Sequence, residues 1–267
     1  MTETQRKPVR HLLGLSGGKD SAALAIYLRD NNRVPEMEYF FADTGAELPE
    51  TLAFIDLLED YLGKKIERLN AGRTFDFYLK LNGNILPTAK SRWCTSELKI
   101  RPFEEYVGDD EAITYVAIRA DEKERIGYLS KKPNISAKYP FIEDNKYKED
   151  IIKILKKSGL GVPKYYDWRS RSGCYFCFFQ RKIEWVGLAE NHPELFEEAK
   201  KYEDFHRQHG RSHTWSEGEN LDQLIARADE IRIKAKELQK IEENKPSKSL
   251  MDRFDNDDDD GCLMCFK

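Results

Sequence analysis

Long hydrophobic runs are missing from this 267-residue sequence. None approaches the ~18 consecutive apolar residues of a membrane-spanning helix, and the stretch His11–Leu15 is too short for the apolar core of a secretory leader. A soluble, cytoplasmic chain with no membrane contact is therefore expected. A basic excess is missing too, since 44 Lys and Arg stand against 48 Asp and Glu. Eight acids and four bases fall from Ile241 onward, so this stretch carries the whole net charge of −4 and the rest is neutral. That excludes the global basic face of a dedicated nucleic-acid binder, and any DNA contact is expected to be local or made through partners. Cysteine is sparse and odd in number: Cys94 alone, Cys174 with Cys177, and Cys262 with Cys265. In a cytosolic chain this pattern argues against structural disulfides and for metal or redox chemistry. There is no internal repeat, and neither GxxxxGK nor GxGxxG occurs, which sets aside an ordinary P-loop NTPase and a dinucleotide dehydrogenase.

What is present is an alternation of short apolar runs with amphipathic stretches over the first 120 or so residues. Strands are expected at Arg10–Leu15, Met37–Ala42, Lys65–Leu69 and Ile113–Ile118. Between them Ala22, Ala23, Ile26 and Tyr27, then Leu52, Ile55, Leu58, Tyr61 and Leu62, recur at helical spacing. The pattern predicts an α/β fold with a doubly wound parallel sheet, whose ligands bind at the carboxyl ends of its strands. Helices are expected at Lys148–Lys157, Arg181–Glu190, Glu194–His206 and Leu221–Glu242, with Trp185, Phe196 and Tyr202 in their core. Three regions follow: a nucleotide-binding α/β domain over 1–145, a helical region carrying a CxxC over 146–243, and a flexible acidic tail over 244–267 ending in CxxC.

The most informative string is Ser16-Gly17-Gly18-Lys19-Asp20-Ser21, directly after the first strand and opening the first helix. Two glycines let backbone amides approach an anion closely, at the positive end of the helix dipole. Ser16 and Ser21 add hydroxyls and Lys19 adds charge, while Asp20 suits a magnesium ion bridging phosphate oxygens. Asp43 and Thr44 end the second strand, where an acid can meet ribose hydroxyls or magnesium; Thr44, Glu47 and Glu50 equally suit a helix start. Arg119 closes the fourth strand, positioned for a phosphate or for an ion pair with Asp121 or Glu122.

SGGKDS resembles the pyrophosphate-loop (PP-loop) signature of ATP pyrophosphatases and of the related sulfonucleotide (PAPS/APS) reductases, a superfamily with an adenine nucleotide alpha-hydrolase-like fold. Asp43-Thr44-Gly45 with Glu50-Thr51, Arg92-Trp93-Cys94-Thr95 with Lys99 and Pro102, and Arg119 to Glu122 with Arg125 are similar to further segments of that superfamily, although Ala117 stands where a glycine is usual. The resemblance implies that Lys19 and Asp20 are catalytic, and that Ser16 to Ser21, Asp43, Thr44 and Arg119 bind ATP and magnesium. It also implies that Cys94 lies beside Cys174 and Cys177 as ligands of a [4Fe–4S] cluster, the fourth position being open, filled by Cys262 or Cys265, or taken by a sulfur donor.

Tetrahedral zinc shared by the two CxxC pairs, with Cys94 as a sulfur-accepting thiol, is a competing arrangement, as are metal-free redox cysteines. His206, His209 and His213 are expected to cap a helix and pack a turn. The R-W-C-T segment, the G-C-x-F-C-F-F-Q-R segment and the cysteine tail look like the ATP pyrophosphatase component of bacterial DNA phosphorothioation systems of Dnd and Ssp type. That likeness implies sulfur transfer to the DNA backbone in antiviral defence, with Cys94 in the sulfur chemistry and a cysteine desulfurase and other DNA-modification subunits as partners. Two other functions remain open: a thioredoxin-dependent sulfonucleotide reductase, whose usual E-C-G-L/I-H context near the C-terminus is absent, and a non-catalytic nucleotide-binding iron-sulfur scaffold.

Overall fold

The computed structural model describes residues 7–122, 125, 130–208 and 213–244. His209, Cys262, Cys265 and most of the acidic tail, for which the sequence carries expectations, lie outside the described residues, as does the side chain of His206. Five parallel strands, β1 (Arg10–Gly14), β2 (Met37–Ala42), β3 (Ile66–Leu69), β4 (Ala112–Tyr115) and β5 (Ile135–Lys138), lie in the order β3-β2-β1-β4-β5. The first four occupy the expected places, although β4 ends at Tyr115, three residues short of the expected Ile118. The fifth is an addition to the sequence reading. It is a short edge strand in which only Ile135 is fully buried, so it has too little pattern to read, and it is held extended by its ladder to β4.

Both faces of the sheet are covered, as parallel sheets require. Leu13, Tyr39 and Phe41 face one core, with Ala22, Ile55 and Leu58 from α1 (Lys19–Asp30) and α2 (Pro49–Leu62). Their neighbours Leu12 and Phe40 face the other, with Phe103 and Val107. A fully buried Leu in such a core contributes roughly 1.5–3 kcal/mol. After β3 come α3 (Phe75–Leu81) and α4 (93–107), the latter interrupted by a π-helical turn at Ser96–Ile100. Following β5, α5 (Lys148–Ser158) returns to pack on α1 and adds Ile151 and Leu155 to the first core.

The remaining helices, α6 (Lys182–Asn191), α7 (Pro193–Gln208), α8 (Leu221–Ala226) and α9 (Ala228–Asn244), gather around an aromatic core. Trp185 and Phe196 are buried in it and Tyr202 packs against it, as expected, while Trp215 stacks on Phe176 at 5.3 Å between centroids. The single helix expected over Leu221–Glu242 is divided. Asn220 caps α8 by accepting from the Gln223 amide, and α8 ends at Arg227. The Arg227 guanidinium turns back to grip both oxygens of Glu219 at 2.7 and 2.9 Å. Among the described residues no helix is long and apolar enough to cross a membrane.

Candidate functional site: a glycine loop stapled to a thiol cleft

Because β1 lies between β2 and β4, the chain leaves β1 and β4 toward opposite edges, and a crevice opens at their carboxyl ends. The loop Ser16–Gly18 sits there. Gly17 has φ +73°, and a Cβ on it would stand 2.5 Å from Cγ2 of Thr51. At Gly18 a Cβ would meet Oγ of Ser172 at 2.9 Å. Both glycines are therefore needed for the loop to pack as closely as it does. The Ser21 hydroxyl accepts from the Ser16 amide and donates to the Gly18 carbonyl, each at 3.2 Å, so the two serines brace the loop from inside. No side chain caps α1 at Gly18, and its first turn faces a cleft of about 260 Å³ lined by Gly18, Lys19, Asp20, Tyr166, Ser170, Arg171 and Ser172. A glycine loop at a helix N-terminus, with a lysine and an arginine around one cleft, is suited to an anion.

We expect Gly17→Ala to cost about 1–3 kcal/mol, because alanine resists a left-handed backbone and collides with Thr51. Urea unfolding measures this loss, and Thr51→Ala in the same background should return the steric part of it.

Asp20 is buried at 3% exposure, and its carboxylate is held from both sides. Nζ of Lys19 lies 3.0 Å from Oδ2 and Nη1 of Arg119 lies 3.2 Å from Oδ1. Burial pushes the Asp20 pKa up, yet the two cations outweigh it and hold the carboxyl below its ordinary value. Burial likewise pulls Lys19 down, but Asp20 beside it keeps the ammonium above its usual range. Arg119 is 1% exposed and also binds Asp121 at 3.0 Å and Glu122 at 3.5 Å. This arrangement differs from the expected one. Arg119 lies behind the loop and anchors Asp20, in the ion-paired form of its two readings. As placed, Asp20 holds Lys19 on one carboxylate oxygen and Arg119 on the other.

The segment before the middle CxxC reaches the loop across more than 140 residues. Tyr165 Oη donates to the Gly17 carbonyl at 2.8 Å, Tyr166 Oη accepts from the Lys19 amide at 3.2 Å, and Ser172 Oγ donates to Ser16 Oγ at 3.3 Å. Arg169 then ties this segment to the cysteines by donating to the carbonyls of Gly173 and Cys174 at 3.3 and 2.8 Å. Tyr165, Tyr166 and Ser172 were not legible as site residues, because nothing local marks a tyrosine or serine that will pack on a distant loop.

Residues after β2 join the same unit. Asp43 accepts from the Gly45 amide in a tight turn, and Glu47 pairs with Cys174 in an isolated antiparallel bridge. Thr44 donates to Glu47 at 2.6 Å, and its hydroxyl lies 3.2 Å from Sγ of Cys174. Thr44 thus lines the thiol side of the site. Cys94, Cys174 and Cys177, eighty residues apart in sequence, line one cleft of about 450 Å³, open solvent included, with Lys99, Phe176 and Phe179 on its walls. Cys94, Thr95, Leu98 and Lys99 share one face of α4 across its π-helical turn. Burial pushes the Cys174 thiol up to about 12 against the pull of Lys99, and it also raises Glu47.

Soft thiol donors beside an apolar wall suit an iron-sulfur centre chemically. Among the described residues, no three His, Cys, Asp or Glu side chains are arranged around one ion position, so Cys94, Cys174 and Cys177 would have to draw together on it. His213 is exposed and does not join either cleft.

The phosphoadenosine phosphosulfate reductase domain model matches residues 10–168. An uncharacterized protein of Methanocaldococcus jannaschii is 30% identical over 244 residues, covering 87% of this chain and 55% of its own length. A second uncharacterized protein of that organism is 28% identical over 229 residues, covering 81% of this chain and 45% of its own length. The chain thus spans about half the length of these two relatives. An uncharacterized 37.8 kDa protein of Escherichia phage 186 is 27% identical over 245 residues, covering 69% of this chain and 71% of its own. The crystal structure of phosphoadenylyl-sulfate (PAPS) reductase from Candida auris, in a phosphate complex, has a TM-score of 0.49 at 11% identity, covering 63% of this chain and 82% of its own. The glycine loop, the strands that carry it and the tyrosines that close on it all fall within the matched segment, and the chain belongs to the phosphoadenosine phosphosulfate reductase domain family of nucleotide-using PP-loop proteins.

Proposed function

We propose that this protein is an ATP pyrophosphatase that activates an acceptor for sulfur transfer, with the DNA backbone as acceptor. The observation that carries the reading is the direct hydrogen bonding of the glycine loop to the segment bearing Cys174 and Cys177. Chemistry on a nucleotide and chemistry on a thiol are thereby held in one rigid unit. In this reading the loop amides and Lys19 take the β and γ phosphates. An acceptor oxyanion attacks the α phosphorus, the bond to the β phosphate breaks, and pyrophosphate leaves. A sulfur nucleophile at the thiol cleft then displaces AMP. Stabilising the charge on departing pyrophosphate is the work of Lys19 and the loop amides. Magnesium enters with the nucleotide as Mg-ATP, with no ligand of this chain assigned to it.

Cys94, Cys174 and Cys177 would hold an iron-sulfur centre, with Cys262 or Cys265 as a further candidate, and such a centre supplies sulfur or electrons when bound. A cysteine desulfurase is the partner that this chemistry calls for. The family match favours one second reading, reduction of a sulfonucleotide with thioredoxin as donor. Incubation with Mg-ATP, a DNA acceptor and a sulfide donor decides between them. AMP and pyrophosphate in equal amounts are expected; sulfite from APS or PAPS without ATP cleavage would favour the reductase, and nucleotide binding without turnover of either would favour a scaffold.

A further inference from the structure

Hydroxyl groups hold three amide donors of the glycine loop. Ser21 Oγ accepts from the Ser16 amide at 3.2 Å, Ser16 Oγ from the Gly18 amide at 3.3 Å, and Tyr166 Oη from the Lys19 amide at 3.2 Å. All three bonds are long and end on a neutral oxygen, whereas a bond from an amide to a charged oxygen is shorter and about twice as strong. The two serines belong to the loop itself. Tyr166 comes from the short turn Lys164–Asp167, 147 positions beyond Lys19, and lines the same cleft as Gly18, Lys19 and Asp20. The amide it covers is that of the first residue of α1, one of the donors that a helix cannot satisfy from within. Its neighbour Tyr165 makes the opposite kind of contact. Tyr165 is fully buried, and its hydroxyl donates to the Gly17 carbonyl, a bond for which no anion competes. An anion that enters the cleft therefore competes with Tyr166 and leaves Tyr165 in place.

We propose that Tyr166 is a placeholder for phosphate: its hydroxyl occupies the position of one phosphate oxygen on the Lys19 amide and yields it when a phosphate group binds. That the loop receives the phosphates of a nucleotide rests on the reading above; the placeholder itself rests on the hydroxyl contacts of the loop. The arrangement keeps a helix-end donor partnered, and it does so with an acceptor weak enough to be replaced. It also makes the exchange selective for oxyanions, since a nucleoside without phosphate offers nothing that outcompetes a hydroxyl at this amide. The swap costs the ligand one neutral hydrogen bond, a penalty of roughly 2–10-fold in affinity. Tyr165 holds the turn to the loop throughout, so the exchange involves the Tyr166 hydroxyl and not the whole contact.

The test is isothermal titration calorimetry of the full chain with inorganic pyrophosphate and, separately, with adenosine, on wild type, Y166F and Y165F. Tyr166 is half-buried, and phenylalanine keeps both its packing on Tyr165 at 4.7 Å and the ring that faces the Lys19 ammonium at 5.4 Å, deleting only the hydroxyl. Y166F is expected to bind pyrophosphate about 2–10-fold more tightly and adenosine as wild type does, because the hydroxyl no longer has to be displaced. A merely structural role would weaken binding instead. Y165F, which loses a donor to a carbonyl, should show no gain. A second readout does not depend on affinity. With isotopically labelled lysine, the Lys19 amide resonance, identified by its loss in K19Q, should differ between the free forms of wild type and Y166F, and that difference should shrink once both are saturated with pyrophosphate. Equal or weaker pyrophosphate binding by Y166F, or a difference that persists undiminished at saturation, overturns the proposal. Wild type that does not bind pyrophosphate at all overturns the loop site along with it. Wild type that binds pyrophosphate but releases no AMP from Mg-ATP loses the pyrophosphatase reading alone and leaves a Y166F gain standing, so the two failures are distinguishable.

Discussion

Asp20→Ala is expected to destabilise the fold by about 1–3 kcal/mol, the cost of removing a buried carboxylate whose charge-assisted hydrogen bonds two cations share. Sequence alone suggests that this change hurts turnover far more than folding; the structure adds a cost in stability, because Asp20 is buried between two cations. Asp20 is the shared counter-ion of Lys19 and Arg119, and Arg119 has almost no access to water. Removing the carboxylate leaves Asp121 and Glu122 to hold Arg119, while Lys19, at 16% exposure, can turn toward solvent. Urea unfolding followed by tryptophan fluorescence measures the loss, and a change under ~1 kcal/mol would show that the cluster does not depend on Asp20.

The pH dependence has a definite sign. The folded pKa of Asp20 lies below its ordinary value of 3.8. Its contribution is therefore complete above that ordinary value and is lost as pH falls through the folded one. The stability gap between wild type and Asp20→Ala should narrow only under strongly acidic conditions.

For Lys19→Gln the expected result is a fall in the rate of pyrophosphate release from saturating Mg-ATP of roughly 10²–10³-fold, typical of deleting one preorganised donor from a developing negative charge. The ammonium sits at the first residue of α1, facing the loop cleft, 5.4 Å from the ring centroid of Tyr166. Arg119 remains to neutralise Asp20 in this variant, so stability should change much less than in Asp20→Ala. Parallel quantification of AMP and pyrophosphate checks the result, and turnover within fivefold of wild type would defeat the role given to Lys19. Lys19→Arg should recover only part of the rate, because a planar fork on a longer stem does not reproduce a compact point charge.

Much of this site was legible in the sequence because its parts are contiguous. Ser16 to Ser21 carries its own explanation in two glycines at a strand-to-helix junction. The placement of Cys94 beside Cys174 and Cys177 came from a resemblance to known proteins, and the structure gathers the three around one cleft. Three things were not legible. Arg119 follows a strand, and its position there cannot show whether the side chain turns outward to a ligand or inward to a carboxylate ninety-nine residues away. The strand Ile135–Lys138 is extended because β4 supplies its ladder, a tertiary cause. The covering of the Lys19 amide by Tyr166 joins residues 147 positions apart, and no local pattern marks either partner for it.

The hydrogen bond from Tyr165 to the Gly17 carbonyl joins residues 148 positions apart. Closing so long a loop is slow and entropically expensive, so contacts of this kind form late in folding. The nucleotide pocket of this protein is consequently a product of the finished fold: a chain still growing, or one with its helical half unfolded, has the glycines but not the cleft. Nucleotide then binds only the native form and stabilises it by mass action. Resistance to proteolysis in the segment Tyr165 to Cys177 should rise with ATP concentration, which makes the occupancy of the loop readable from the integrity of the cysteine arm.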